Sequence, residues 1–311
     1  MRRRVVGILA GVAVLASALA AVIGVGQLTS FEVEKVTGDV HVLYGQGGNV
    51  AILATTSGAV VVDTMSFRMQ GEQIWELAEE LGGGPVQTVI NTHYHWDHTH
   101  GNPGFAVGTR IIASDATLRY LRHFDADYWT GGAEGTLPNE TVEAEERLEI
   151  GGKTIRLLHP GRGHTGGDLV VLFVEDRVVH LGDLFFNARY PNIDLEAGGS
   201  VREWSASLDR VLALDFAAAI PGHGKVTDRE GLLAFQRFLQ EVWQVAERAA
   251  REGRSLAETQ ATAGLRTDAG YAPISIPFLI KLDREFVIRR AWEEATGAVR
   301  PTRIPEDRED A

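Results

Sequence analysis

Residues 91–101 read NTHYHWDHTHG and place His93, His95, Asp97, His98 and His100 close together. The chain has 10 histidines, and four of them fall in this one segment. Imidazole and carboxylate are the nitrogen and oxygen ligands of zinc, which usually takes four. His93 and His95 alternate, so in an extended segment both point to one side. Asp97 and His98 follow where an apolar run, VQTVINT (86–92), yields to a loop. Histidines this crowded would repel one another if protonated, and a bound cation keeps them neutral.

One cluster cannot complete two coordination spheres, and the rest of the chain offers further candidates. His164 lies in GRGHTGGD, Asp183 in HLGDLFF and His223 in IPGHG. Each sits near an apolar run and beside glycines, which let a backbone turn sharply or approach a ligand. The chain has no cysteine, so any metal site must be built from nitrogen and oxygen. His100 and His180 adjoin these motifs but are off their pattern, and no ligand role is assigned to them. His41, His123 and His159 are read as surface or half-buried side chains. Tyr94 and Trp96 lie between the candidate ligands, as packing or as a pocket wall.

The elements that must position these residues are short. DVHVLYG (39–45), NVAILATT (49–56) and GAVVVDT (58–64) are β-branched and separated by turn residues. Ile74, Leu77 and Leu81 recur at helical spacing. RIIAS (110–114) is a strand and ATLRYLRHF (116–124) a helix. Sheet-like character then returns with a hairpin through Gly151-Gly152, a strand pair in residues 168–183, a helix near 202–214 and a strand leading to His223. Sheet-rich halves with helices between them suggest two packed sheets with helices outside. From residue 229 the chain turns helical, with an apolar stripe of Leu232, Phe235, Phe238, Leu239, Val242 and Val245. A second helix is expected near residues 276–297. These C-terminal helices would cover the site, mediate dimerisation or cap the fold. Residues 123–140 are aromatic and Gly-rich, and would flank a cleft or form a surface loop.

HYHWDH (93–98) resembles the HxHxDH signature of the metallo-β-lactamase superfamily. His164, Asp183 and His223 match its later ligand motifs in order, and Asp63 in VVVDT matches its first motif. The resemblance covers roughly residues 35–228. It implies an α+β fold, a four-layer αββα sandwich with two zinc ions at the sheet edges. His93, His95 and His164 would bind one zinc, Asp97, His98 and His223 the second, and Asp183 would bridge them. Asp63 would hold a ligand histidine by its other nitrogen. Two zinc ions about 3.5 to 4 Å apart would hold a hydroxide between them that attacks a carbonyl carbon. Asp97 would orient that nucleophile and pass a proton, as a catalytic residue. The implied activity is hydrolysis of a β-lactam amide, ester, thioester or lactone. Asp at position 183 is the pattern of thioesterases, lactonases and general hydrolases, where the commonest β-lactamases carry Cys or Ser. A lactonase-type Tyr three residues later is replaced by Phe186. The rival classes are a single-iron oxidoreductase acting on persulfides and a non-catalytic metal-binding protein. The complete second set, Asp97, His98 and His223, argues against a single-iron site.

The 311 residues carry a net charge of -12, and this acidic surface disfavours nucleic acid as a partner. The expected partner is a small-molecule carbonyl substrate. Arg2, Arg3 and Arg4 precede an uncharged run over residues 5–30. Residues 1–28 are therefore read as a cleaved signal peptide or a retained membrane anchor, with the body exported to the periplasmic, extracellular or outer membrane face. Losing the three arginines would take the charge from -12 to -15. The expected organisation is this leader, a metallo-β-lactamase-like domain over 31–228, a helical extension over 229–296 and a polar tail over 297–311.

Overall fold

The computed structural model describes residues 26, 30–277 and 279–304. The proposed leader lies, but for Gly26, outside the described residues, as does the end of the polar tail. Among the described residues no helix is long and apolar enough to cross a membrane.

Two sheets form the centre. Strands β1 (Glu32–Lys35), β2 (Val40–Tyr44), β3 (Val50–Thr55), β4 (Gly58–Val62), β5 (Val86–Ile90), β6 (Ile111–Ser114) and β7 (Glu140–Val142) make one sheet in sequence order. Its first four strands are antiparallel, and β4 through β7 run parallel. The second sheet has the order β12-β11-β10-β9-β8, from β8 (Glu145–Ile150), β9 (Lys153–Leu158), β10 (Val170–Phe173), β11 (Val178–His180) and β12 (Ala218–Ile220). The β8–β9 hairpin turns at Gly151 and Gly152, both with positive φ (51° and 78°), which a two-residue turn of this hand requires.

The side-chain period of two explains the layering. In β3, Ala51 and Leu53 face the gap between the sheets, while Val50 and Ile52 face outward. In β10, Val171 and Phe173 face inward, while Val170 and Leu172 face outward. Both faces of the central strands are buried, so these strands read as continuous apolar runs. Helix α1 (Arg68–Gly82) covers the outer face of the first sheet through Ile74 and Ala78. Helices α4 (Val201–Leu212), α5 (Arg229–Glu252) and α7 (Arg284–Thr296) cover the second through Trp204, Phe235, Phe238 and Val287. The result is the α+β αββα sandwich, with α2 (Trp96–Thr99) and α3 (Asp115–Phe124) at the first sheet and α6 (Leu256–Thr262) in the C-terminal segment.

The C-terminal segment departs from expectation in two places. Residues 276–283 do not begin a helix. Strands β13 (Ile274–Ile276) and β14 (Ile280–Leu282) form a hairpin, and α7 starts only at Arg284. Pro277 blocks helical continuation, isoleucines favour extended backbone, and Asp283 caps α7 by accepting from the Phe286 N–H at 2.9 Å. Helix α6 was not anticipated. Its signal is a capping box in which Ser255 and Glu258 satisfy each other's backbone N–H groups.

Trp204 is fully buried and donates its indole N–H to the Leu184 carbonyl at 2.9 Å. Trp204→Ala removes that packing and orphans the carbonyl. It should lower unfolding stability by about 3–5 kcal/mol in urea titrations.

Candidate metal centre

The candidate residues meet at one end of the sandwich, although they come from distant parts of the chain. Asp63 follows β4, and residues 93–98 follow β5. His164 lies in the loop before β10, Asp183 follows β11 and His223 follows β12. Hydrogen bonds between the sheets fasten this end. The Leu169 N–H donates to the Thr92 carbonyl at 2.8 Å, and Asn49 donates from its backbone to Gly222 at 2.8 Å and from its side chain to Pro221 at 2.8 Å.

Two groups of ligand-type atoms result. His93, His95, His164 and Asp183 form one, and Asp97, His98 and His223 the other, the atoms of each lying within 4.8 Å of one another. Asp183 divides its oxygens between them. Its Oδ2 is 3.9 Å from His93 Nε2 and 3.6 Å from His164 Nε2. Its Oδ1 is 3.1 Å from His98 Nε2 and 3.3 Å from His223 Nε2. Asp97 Oδ2 is 3.3 Å from His223 Nε2 and 3.9 Å from His98 Nε2.

What holds the imidazoles is as informative as what they face. His98 Nδ1 is 2.7 Å from Asp63 Oδ2, and Asp63 also accepts from the Thr92 backbone and hydroxyl at 2.8 Å each. His93 Nδ1 meets the Thr92 hydroxyl at 3.0 Å. His164 Nδ1 faces the Asn192 carbonyl at 2.9 Å, and His95 Nε2 faces Asp194 Oδ2 at 3.0 Å. An acceptor on one ring nitrogen fixes the proton there and leaves a lone pair on the other. Those lone pairs converge. His164 Nε2 and His95 Nδ1 are 2.8 Å apart, a separation that needs a proton or a cation. His93 Nε2, His98 Nε2 and Asp183 Oδ1 are buried with no hydrogen-bond partner; the 3.1 Å His98–Asp183 approach lacks hydrogen-bond geometry. Orphaned buried donors and acceptors are rare and costly. An all-nitrogen-and-oxygen set in this arrangement fits divalent cations of the zinc type.

Asp63 thus sits against the outer nitrogen of His98. Its backbone φ is 64°, an uncommon conformation that aims the carboxylate under His98. Asp194 was missed by sequence reasoning because it lies far along the chain from the His95 it holds, and Thr92, although next to His93, because nothing in its type marks it as a support. Tyr94 also donates to Asp194 and is therefore a support. Trp96 lines the cavity above the cluster. His100 is turned away, paired with Asp125 at 2.7 Å and stacked on Tyr128, and buried His180 contacts the Asn49 carbonyl at 3.2 Å. The Gly-rich loop over 123–140 lines a separate, smaller cavity, not this one. Phe186 stacks on His223 with ring centres 5.3 Å apart. Backbone clearance matters at two glycines. A Cβ on Gly222 would fall 2.0 Å from Asp183 Oδ1, and one on Gly48 would fall 2.1 Å from the His98 ring.

Charge differs among the imidazoles: His95, like His223, is shifted upward, in its case by the Asp194 carboxylate against burial. Burial holds His93 well below the usual histidine range and His164 down at about 4. Burial also opposes protonation of His223, but the Asp183 and Asp97 carboxylates outweigh it and raise its pKa to about 9.

A family model described as the metallo-beta-lactamase superfamily matches residues 43–223, more than half of the chain. The chain belongs to that superfamily. It is 28% identical over 171 residues to the 2,4-dinitroanisole O-demethylase subunit alpha of Nocardioides sp. (strain JS1661), covering 54% of this chain and 49% of that one. The chain therefore spans about half the length of that relative. It is 28% identical over 188 residues to the metallo-beta-lactamase type 2 of Bacillus sp. (strain 170), covering 60% of this chain and 69% of that one. The solved metallo-beta-lactamase from Pontibacter korlensis shares the fold with a TM-score of 0.57 at 23% identity, over 68% of this chain and 99% of that one. The family match contains Asp63 and all seven candidate ligands.

Two outcomes are expected. Asp63→Ala leaves His98 without its acceptor and should weaken metal binding about 10- to 100-fold in chelator competition. The second concerns protons. His223 is protonated at neutral pH without metal, so metal uptake must displace its proton, whereas His93 and His164 have none to lose. Affinity for the second cation should therefore rise between pH 7 and about 9, with proton release measurable by calorimetry in buffers of differing ionisation enthalpy.

Proposed function

We propose that this superfamily member is a metal-dependent hydrolase that loads two divalent cations, zinc by preference, and cleaves a carbonyl bond in a small molecule. The observation carrying this reading is Asp183, whose two oxygens face two separate groups of imidazoles with orphaned nitrogens. On this reading His93, His95 and His164 hold one cation and Asp97, His98 and His223 the other, with Asp183 shared. Bound cations supply Lewis acidity toward a carbonyl oxygen and toward water.

The chain's own groups do the rest. Asp97 lines the cavity, so its carboxylate orients the attacking water and accepts its proton, with general-base character. Asp63, Thr92, Asn192 and Asp194 keep the histidines in one tautomer, so the cluster does not reorganise during reaction. The β-lactam amide is one substrate class, supported by a relative named as a metallo-beta-lactamase. Esters, thioesters and lactones are the others. Export by the segment over 1–28, cleaved or retained as an anchor, belongs to the same reading, and N-terminal sequencing of the cell-expressed protein tests it.

The direct experiment uses residues 29–311. Wild type should retain about two zinc ions and open nitrocefin, or hydrolyse an aryl ester, thioester or lactone, at least about 100-fold faster than Asp183→Ala. One iron with persulfide oxidation would replace the hydrolase reading. Metal without turnover of any of these would leave a binding protein. A chain that takes up no metal would end the proposal.

A further inference from the structure

The cavity above the metal cluster measures about 1050 Å³. Pockets for small ligands are roughly 300–1,000 Å³, so a two-carbon acyl group would leave most of this space empty. Asp97, Asp183 and His223 form its floor. Its far wall comes from the β13–β14 hairpin and α7, beyond the residues that the family model matches.

That wall is apolar in a patterned way. Ile274 pairs with Leu282 and Ile276 with Ile280, and cross-strand partners share one face of a hairpin. All four line the cavity. The exposed large hydrophobics among the described residues are Val33, Phe67, Val107, Phe124 and Leu279. Single exposed hydrophobics are ordinary, but two of these line this one cavity. Leu279, at the hairpin turn, is 80% exposed, and Phe67, at the start of α1, is 43% exposed. Of the two cations on the wall, one is closely paired. Lys281 lies 2.6 Å from Asp283, and Arg289 lies 4.0 Å from Glu293. Glu285 adds a further acidic side chain to the lining, so an anionic body is poorly matched.

We propose that the hairpin is the specificity wall of this site and selects carbonyl compounds bearing a long, neutral, apolar substituent. This rests on the reading of the metal cluster as the reactive centre. The carbonyl sits on the floor, and the apolar substituent runs along Ile276, Ile280 and Leu279. Leu279 and Ile276 are specificity-determining and touch no reacting atom.

The test measures binding first, because binding does not depend on turnover. Acetate, hexanoate and decanoate are titrated calorimetrically into the zinc-loaded protein, with the carboxylate as the product-like end. The same series is run with butanol, hexanol and decanol, which do not need a metal. Full burial of a methylene is worth about a fourfold gain in affinity, so hexanoate to decanoate should gain at least about tenfold. Leu279→Asp should remove most of that gain and leave acetate unchanged. Its exposure makes misfolding from this substitution a minor concern, and circular dichroism with urea titration verifies it; Ile276→Asp serves as the second variant. In ester assays both variants should raise KM for decanoyl esters and leave acetyl esters alone. Equal binding of short and long chains overturns the proposal, as does decanoate binding unchanged in both variants. Vesicle binding lost in Leu279→Asp, without any chain-length effect, would assign the hairpin to a lipid surface and also overturn it. Chain-length-dependent binding with no hydrolysis of any ester would leave this inference standing and remove the hydrolase reading.

Discussion

Everything at this end of the molecule depends on burying two carboxylates and five imidazoles together, away from most water. Asp183 is 3% exposed, His93 1%, and His98 and His164 not at all. Charged or lone-pair-bearing groups in such a place are costly unless each has a partner. The outward nitrogen of four imidazoles meets an acceptor, and the inward nitrogens converge around Asp183. A cation of the zinc type would give those inward nitrogens the partner they lack. The need for glycine at positions 222 and 48 follows from the same constraint, since a side chain at either would occupy the space of the carboxylate or the ring.

The sandwich exists to hold these groups still. Loop ends of two sheets would drift if each sheet were anchored only by its own ladder. They are tied by Asn49 reaching Pro221, Gly222 and Gly224 and by Leu169 bonding to Thr92, while Gly48 bonding to Asp97 links two loops of the first sheet. Apolar side chains on both faces of the central strands give the scaffold its stiffness. Burying each Val or Leu contributes roughly 1.5–3 kcal/mol, and close packing leaves little freedom to shift.

The C-terminal segment is joined to this machinery and is not a separate appendage. Arg290 of α7 donates to the Ile193 carbonyl at 2.9 Å and pairs with Glu196, on either side of the Asp194 that holds His95. Glu294 accepts from Ser200 and from the Val201 backbone, docking α7 against the start of α4. One helix therefore steadies the loop that supports His95, and the hairpin before it walls the cavity.

Much of this was legible in the residues. Alternation of small β-branched runs marked the strands, the 3.6-residue stripe marked α5, and crowding of imidazoles and carboxylates at strand ends marked the site. His93, His95, Asp97 and His98 stand out by type and spacing, His164, Asp183 and His223 by their glycine-rich context and their order along the chain, and Asp63 only through the family motif it resembles. Tertiary structure alone decided what local signals do not encode. Asp194 is 99 positions from the His95 it orients, and nothing in either segment names the other. IPFLIKL has apolar content that suits a helix or a hairpin equally, and Pro277 with the Asp283 cap tips it toward the hairpin that reaches the cavity. The 123–140 loop, with its aromatic residues, turned to a different cavity. Period and residue type determine which face of an element is buried, whereas the side chains that face one another across a site are set by how whole elements pack.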